Sequence, residues 1–95
     1  MSDVIKSAVE ALNGKLSGGF SGTAKFVIER EGALMLDASG ARAGDEAADV
    51  TLTADVETFQ GMLSGDVNPT MAFMQGKLSV DGDMGLAMQL GAALS

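Results

Sequence analysis

The segment after Asp83 constrains the fold most, because it carries no charged side chain up to the end of the chain. Placed on a helix, it has two apolar faces, one made of Met84, Ala87, Met88 and Gly91 and the other of Leu86, Leu90 and Ala93. A helix that is apolar on every side is normally buried in a large protein or in a membrane. This segment is shorter than the roughly 20 residues that span a bilayer. We therefore expect its second face to be covered by another helix of the chain, by a partner subunit or by an apolar ligand.

Alternation with a period of two marks the strands. One side of the first run is formed by Phe20, Gly22, Ala24, Phe26 and Ile28, while the other side is mostly polar. The alternation returns after a Glu31-Gly32 turn and twice more, so strands are predicted over residues 20–29, 33–38, 49–54 and 78–81. Residues 39–48 are rich in Gly, Ala and Asp and show no period, which predicts a loop.

Helical spacing predicts four helices, over residues 3–13, 56–64, 69–75 and 84–94. The expected N-cap residues are Ser2 or Asp3, Asp55, Asn68 and Asp83. Gly14 is expected to end the first helix. The order is helix, three strands, two helices, strand, helix. This order indicates an α+β fold in one domain, residues 1–95, with a mostly antiparallel sheet that helices cover on one face.

The composition argues against several classes of function. A net charge of -7 without a Lys/Arg cluster repels nucleic acid, and the absence of Trp and Tyr removes platforms on which bases stack. The absence of His and Cys removes the commonest metal ligand, the usual general base and thiolate chemistry. Asp81 and Asp83 flank Gly82 but are too few to hold Ca²⁺. We expect no enzyme activity, no metal, no cofactor and no nucleic-acid partner.

The N-terminal stretch MSDVIKSAVEALNGK lacks the basic start and the long apolar run of a secretory signal. We therefore expect a soluble, cytoplasmic protein that contacts membranes at most transiently. We expect it to be a monomer, and dimerisation through the last helix is the alternative.

Methionine is concentrated toward the C-terminus. Of the 7 methionines, all but Met1 and Met35 lie within the last three predicted helices, as Met62, Met71, Met74, Met84 and Met88. Flexible thioethers suit surfaces that adapt to ligands of several shapes, and they also fill gaps in ordinary cores. Both readings stay open from the residues alone.

The end of the chain resembles a known family. Residues 76–88, GKLSVDGDMGLAM, resemble the closing signature of the sterol carrier protein 2 family, in which a Gly-Lys-aliphatic strand turns through Gly-Asp into a helix. Residues 49–53, DVTLT, and the Asn68-Pro69 pair that opens a Met/Phe-rich turn are also similar to that family. The resemblance covers most of the chain and is strongest from Asp49 onward.

The resemblance implies an α+β fold with a five-stranded mixed sheet, helices on one face and an apolar tunnel between the helices and the sheet. It also implies a lipid carrier, which binds sterols, fatty acids or fatty acyl-CoA without catalysis. A protein-interaction or dimerisation module that uses the last helix is the alternative. On matching positions, the candidate lipid-binding residues are Phe59, Met62, Leu63, Met71, Met74, Met84, Leu86 and Met88.

The position of the fifth strand and the role of Lys77 each have two readings. The fifth strand is either a split of the long first strand or lies within residues 39–48. Lys77 is either a solvated strand end or a cation that meets a carboxylate or a CoA phosphate at the tunnel mouth. The ending Ala93-Leu94-Ser95 differs from the peroxisomal address of many eukaryotic members, so a peroxisomal location is not carried over.

Overall fold

The described part of the computed structural model, residues 3–16 and 19–94, forms four helices and five strands. In chain order these are α1 (Asp3–Lys15), β1 (Ala24–Ile28), β2 (Gly32–Asp37), β3 (Gly40–Ala43), β4 (Val50–Ala54), α2 (Val56–Ser64), α3 (Pro69–Met74), β5 (Leu78–Gly82) and α4 (Met84–Leu94). The predicted α+β class is confirmed. Gly14 does not end α1, which continues to Lys15. Ser2, one of the two expected caps of this helix, lies outside the described residues.

The five strands form one sheet in the order β3-β2-β1-β4-β5. Only β1 and β4 run parallel, and the other neighbouring pairs are antiparallel. In this register Phe26 lies opposite Leu34 on one side and opposite Leu52 on the other. The sheet is therefore mixed and mostly antiparallel, as predicted, and it brings Phe26, Leu34 and Leu52 together on one face.

The fifth strand lies in the stretch that was predicted to be a loop. Strand β3 occupies residues 40–43, so the loop prediction for residues 39–48 is wrong there, and the long first strand is not split. The first strand, β1, covers Ala24–Ile28 and is therefore shorter than the predicted residues 20–29. Asn13 holds the new strand to α1, since Ala41 N–H donates to Asn13 Oδ1 at 2.8 Å and Asn13 Nδ2 donates to Ala41 O at 3.1 Å. The side chain of Asn13 thus supports a strand of only four residues, whose apolar side consists of the small residues Ala41 and Ala43.

All four helices contribute to one core on a single face of the sheet. Phe59 of α2 contacts Phe26 at the centre of this core, with ring centroids 5.2 Å apart. The buried helical side chains in the core are Ile5, Ala8 and Leu12 of α1, Phe59 and Met62 of α2, Ala72 of α3, and Ala87, Leu90 and Leu94 of α4. The predicted arrangement, with helices on one face, is confirmed.

The opposite face of the sheet is partly covered by the segment after β3. Met35 alternates with the core residues of β2 and so points to this face, yet it is fully buried. It lies in register between Lys25 and Arg42, and Lys25 Nζ donates to Asp45 Oδ1 at 2.9 Å. The Lys25–Asp45 pair therefore ties this segment across the sheet beside Met35.

Capping residues set where the later helices begin. Asp55 Oδ1 accepts a hydrogen bond from Thr58 N at 2.7 Å, and Asn68 Oδ1 accepts one from Thr70 N at 2.8 Å. Asp83 Oδ1 likewise accepts one from Leu86 N at 3.1 Å. The three caps predicted at these positions are confirmed.

An apolar groove between α3, β5 and α4

An apolar groove opens where α3, β5 and α4 meet beside Leu52, in the middle of β4. It has a volume of about 320 Å³. Its lining is formed by Leu52, Met62, Pro69, Thr70, Phe73, Met74, Leu78, Val80, Met84, Ala87, Met88, Gly91 and Leu94. Among the described residues of this lining none is charged, and Thr70 is the one with a polar side chain. Such a site can enclose hydrocarbon but offers no fixed charge to a ligand.

The two apolar faces of α4 have different neighbours. Leu90 is buried in the core, and Leu94 is buried at the end of the helix, where it also borders the groove. Met84 and Met88 border the groove, and Gly91 beside them lies close to Pro69 of α3. One face of the helix therefore lies in the core, and much of the other face is the wall of the groove.

The short helix α3 forms the facing wall. Asn68 caps it, Pro69 occupies its first turn, and the N–H of Lys77 donates to the carbonyl oxygen of Ala72 at 2.9 Å. With six residues, α3 buries Pro69 and Ala72 and leaves its larger side chains near the surface. A proline in the first turn costs no helical hydrogen bond and fixes the backbone there, so this wall starts at a defined position.

The groove has an exposed rim and a buried floor. The rim consists of Phe73, Met74, Met84 and Met88, whose exposed fractions are 44%, 73%, 48% and 73%. The floor consists of Leu52, Met62, Leu78 and Leu94, none of which is more than 4% exposed. Clustered exposure of large apolar side chains marks a surface that binds something apolar. What the structure contains here is an open groove, and a closed tunnel stays a prediction.

The eight candidate residues fall into two groups. Met62, Met74, Met84 and Met88 line the groove. The structure does not bring the other four into its lining. Phe59 lies in the core, Leu63 and Leu86 are half-buried beside it, and Met71 lies on the opposite side of α3 in a separate polar pocket.

Sequence reasoning missed some of the residues that line the groove. Phe73 is the clearest case, because it stands one position from Met74 and forms part of the rim. A helix of six residues is too short for periodicity to sort its faces. A strand was predicted over residues 78–81, but only the packing of α4 shows that Leu78 and Val80 border a groove.

Lys77 lies outside the groove. It lines the polar pocket on the other side of α3, together with the carboxylates of Asp55, Glu57 and Asp66. Hydrogen bonds from Thr58 hold the pKa of Asp55 below its usual value, and the charge of Lys77 lowers that pKa further. The cation thus faces carboxylates of its own chain.

Within residues 3–16 and 19–94, no group of three or more Asp and Glu side chains is arranged to hold a metal ion. No helix in the same ranges has both the length and the hydropathy to cross a membrane.

The fold and the groove define the class of protein. The sterol carrier protein 2 like 2 from Aedes aegypti has a crystal structure that superposes with a TM-score of 0.80 at 20% identity, covering 94% of each chain. The Aedes aegypti sterol carrier protein 2 in complex with palmitate also superposes with a TM-score of 0.80 at 20% identity, covering 100% of this chain and 97% of that one. This chain therefore has the fold of the sterol carrier proteins.

Sequence comparison gives the family. The family model described as the SCP-2 sterol transfer family matches residues 4–95, and the chain belongs to that family. Hydroxysteroid dehydrogenase-like protein 2 from Xenopus laevis is 34% identical over 98 residues, which cover 95% of this chain and 24% of that relative. The chain thus spans about a quarter of the length of this curated relative. The resemblance identified in residues 49–88 is confirmed.

Proposed function

We propose that residues 1–95 act as one lipid-binding domain, a non-enzymatic carrier whose groove binds the hydrocarbon part of a sterol-like lipid, a fatty acid or a fatty acyl-CoA. The observation that carries this proposal is the rim of Phe73, Met74, Met84 and Met88, exposed around an apolar groove with a buried floor. Exposed apolar side chains are unfavourable in water, and covering them with an apolar ligand lowers the free energy.

The size of the groove fits part of a lipid. A volume of about 320 Å³ holds roughly ten groups of the size of a water molecule, and a methylene group is of similar size. Complete burial of a methylene contributes about 0.8 kcal/mol, so roughly ten of them contribute at most about 8 kcal/mol before the costs of association. The remaining carbons of a longer chain project from the groove or enter as α3 and α4 move apart.

The relatives support a lipid as ligand. The Aedes aegypti sterol carrier protein 2 was solved in complex with palmitate, and the matching family is named for sterol transfer. The dehydrogenase-like relatives are much longer proteins, and this chain matches a quarter of their length or less. We assign this chain the carrier role, because its sequence contains no His or Cys and its groove has no charged lining residue.

We further propose that the carrier acts as a monomer. The most buried side chains of α4, Leu90 and Leu94, already pack within their own chain and are not available to a second copy. We place it in the cytoplasm, because a chain with no Cys needs no oxidising compartment to fold.

Calorimetric titration with palmitate tests the proposal. We expect binding by the wild type and an affinity that is about tenfold weaker or worse in Met88→Glu, because the hydrocarbon would have to desolvate a carboxylate. The matched control is Gln89→Glu, which adds the same charge at the next position of α4, outside the groove lining. Equal affinities for wild type and Met88→Glu would contradict the proposal, as would an equal loss in both variants.

A further inference from the structure

Methionine is the side chain of this protein that is most readily oxidised. The chain has 7 Met and no Cys, Trp, Tyr or His. A thioether is oxidised to a sulfoxide, which is polar, and reductases that use thiols as the source of electrons reverse the change. Oxidative modification of this chain therefore concentrates on a few sulfur atoms.

The methionines of the described residues differ sharply in exposure. Met35 and Met62 are 0% and 1% exposed, so a peroxide in solution does not reach them while the protein stays folded. Met71, Met74, Met84 and Met88 are among the exposed large apolar residues. Three of these four form the groove rim together with Phe73, and Met71 lies on the other side of α3.

We propose that Met74, Met84 and Met88 form an oxidation site that controls lipid binding, an inference that rests on the proposed function of the groove. The oxidant is a hydroperoxide. A sulfur lone pair attacks the terminal oxygen, the S–O bond forms and the O–O bond breaks. The proton of that oxygen passes to the leaving oxygen, which departs as water or an alcohol. The sulfur loses two electrons and the peroxide gains them.

The modification acts directly on the surface that a hydrocarbon chain would cover. A sulfoxide oxygen accepts hydrogen bonds from water and must lose them when a lipid covers it. The groove offers few compensating donors, because Thr70 has the one polar side chain among the lining residues that the structure describes. Oxidation of the rim therefore weakens lipid binding. The fold stays intact, because the buried Met35 and Met62 are not oxidised.

The experiment compares palmitate affinity before and after limited treatment with hydrogen peroxide. Peptide mass mapping measures the gain of one oxygen atom at each methionine, and circular dichroism follows the fold. We expect sulfoxide at Met74, Met84 and Met88 while Met35 and Met62 stay reduced. The palmitate affinity should fall by about tenfold or more and recover after treatment with methionine sulfoxide reductases.

Two variants locate the effect. Met71→Leu removes the exposed thioether outside the groove, so its affinity should fall on oxidation as much as that of the wild type. Met74→Leu combined with Met84→Leu and Met88→Leu removes the rim thioethers. Its affinity after peroxide is compared with its own affinity before peroxide, and we expect no fall.

The outcomes separate this inference from the proposed function. A wild type that is oxidised at all three rim positions and still binds palmitate with full affinity overturns the inference alone. A fall of the same size in the triple leucine variant also overturns it, because the loss then arises elsewhere. A reduced wild type that binds no palmitate overturns the proposed function, and with it this inference.

Discussion

The rings of Phe26 and Phe59 meet edge to face, with centroids 5.2 Å apart and planes inclined at 62°. Phe26 belongs to the central strand β1, and Phe59 belongs to the middle of α2, so this contact attaches the helix to the centre of the sheet. The next turn of α2 then places Met62 at the floor of the groove. The aromatic pair thus positions the groove without lining it.

We expect Phe59→Ala to destabilise the protein by about 3 to 5 kcal/mol, because it removes a ring that is fully buried and leaves a cavity against Phe26. Urea unfolding followed by circular dichroism measures the loss. Gln60→Ala, at the exposed neighbouring position, is the control and should change stability by less than about 0.5 kcal/mol. If Phe59→Ala lost as little stability as Gln60→Ala, the aromatic contact would contribute little to the fold.

Gly76 and Gly82 both have a positive φ, but an added Cβ atom would overlap a neighbour only at Gly82. At Gly82, φ is +108° and a Cβ atom would overlap the carbonyl oxygen of Asp49, whereas at Gly76, φ is +77° and a Cβ would meet nothing within 4 Å. We expect Gly82→Ala to cost about 2 to 4 kcal/mol, from both effects, and Gly76→Ala about 1 to 2 kcal/mol, from strain alone. Equal urea midpoints for the two variants would contradict the close approach of Gly82 to Asp49.

The cap at Asp55 makes stability depend on pH. Because hydrogen bonds from Thr58 hold the pKa of Asp55 below its ordinary value of 3.8, the ionised cap stabilises the fold above pH 3.8. This contribution is lost as the pH falls through the lower pKa of the folded state. Asp55→Asn keeps a neutral acceptor at every pH, so its stability relative to wild type should rise on acidification.

Urea midpoints measured at several pH values between about 6 and 2.5 test the role of Asp55. Asp81→Asn is a control with the same change of charge, at an exposed position of β5. A pH profile of Asp55→Asn that parallels the profile of Asp81→Asn would argue against a capping carboxylate at Asp55.

A substitution at Leu90 tests whether this side of α4 packs in the core of its own chain or against a second copy. Because Leu90 is fully buried, we expect Leu90→Glu to destabilise the protein by about 4 kcal/mol or more, since a carboxylate would be placed in the core. Ala93→Glu, at an exposed position of the same helix, should cost less than about 1 kcal/mol. A folded Leu90→Glu variant with a smaller mass in light scattering than wild type would instead indicate a dimer interface.

The uncharged lining of the groove predicts how binding responds to salt. No lining residue is a cation and Lys77 faces carboxylates, so an anionic head group has no fixed partner in the groove. We expect Lys77→Gln to change the palmitate affinity by less than about twofold, and the affinity not to fall between about 0.05 and 0.5 M NaCl. A marked loss of affinity in high salt, or in Lys77→Gln, would place a head-group site at this lysine.

Local signals in the sequence were enough to place most of the elements. Asp55, Asn68 and Asp83 begin helices because their side chains bond N–H groups three or fewer positions away, an interaction that needs no distant contact. Strand β4 follows its alternation equally directly, with Val50, Leu52 and Ala54 buried. For the groove, the cluster of methionines pointed to the right region, but it did not separate Met74 and Met88 at the rim from Met71 outside it.

The sequence by itself determined the α+β class, the caps and the inward positions of β1 and β4, because these depend on interactions within a few residues. Only the tertiary structure decided that residues 40–43 form a strand, since their pairing partner β2 and the support from Asn13 supply what the sequence pattern lacks. The tertiary structure also decided which side of α4 is buried, because this helix is apolar on both sides. Leu90 is buried in the core, while Met84 and Met88 line a groove whose other wall comes from α3. Which apolar side chains are buried and which stay exposed depends on the elements that pack beside them, and a periodic pattern carries no information about those neighbours.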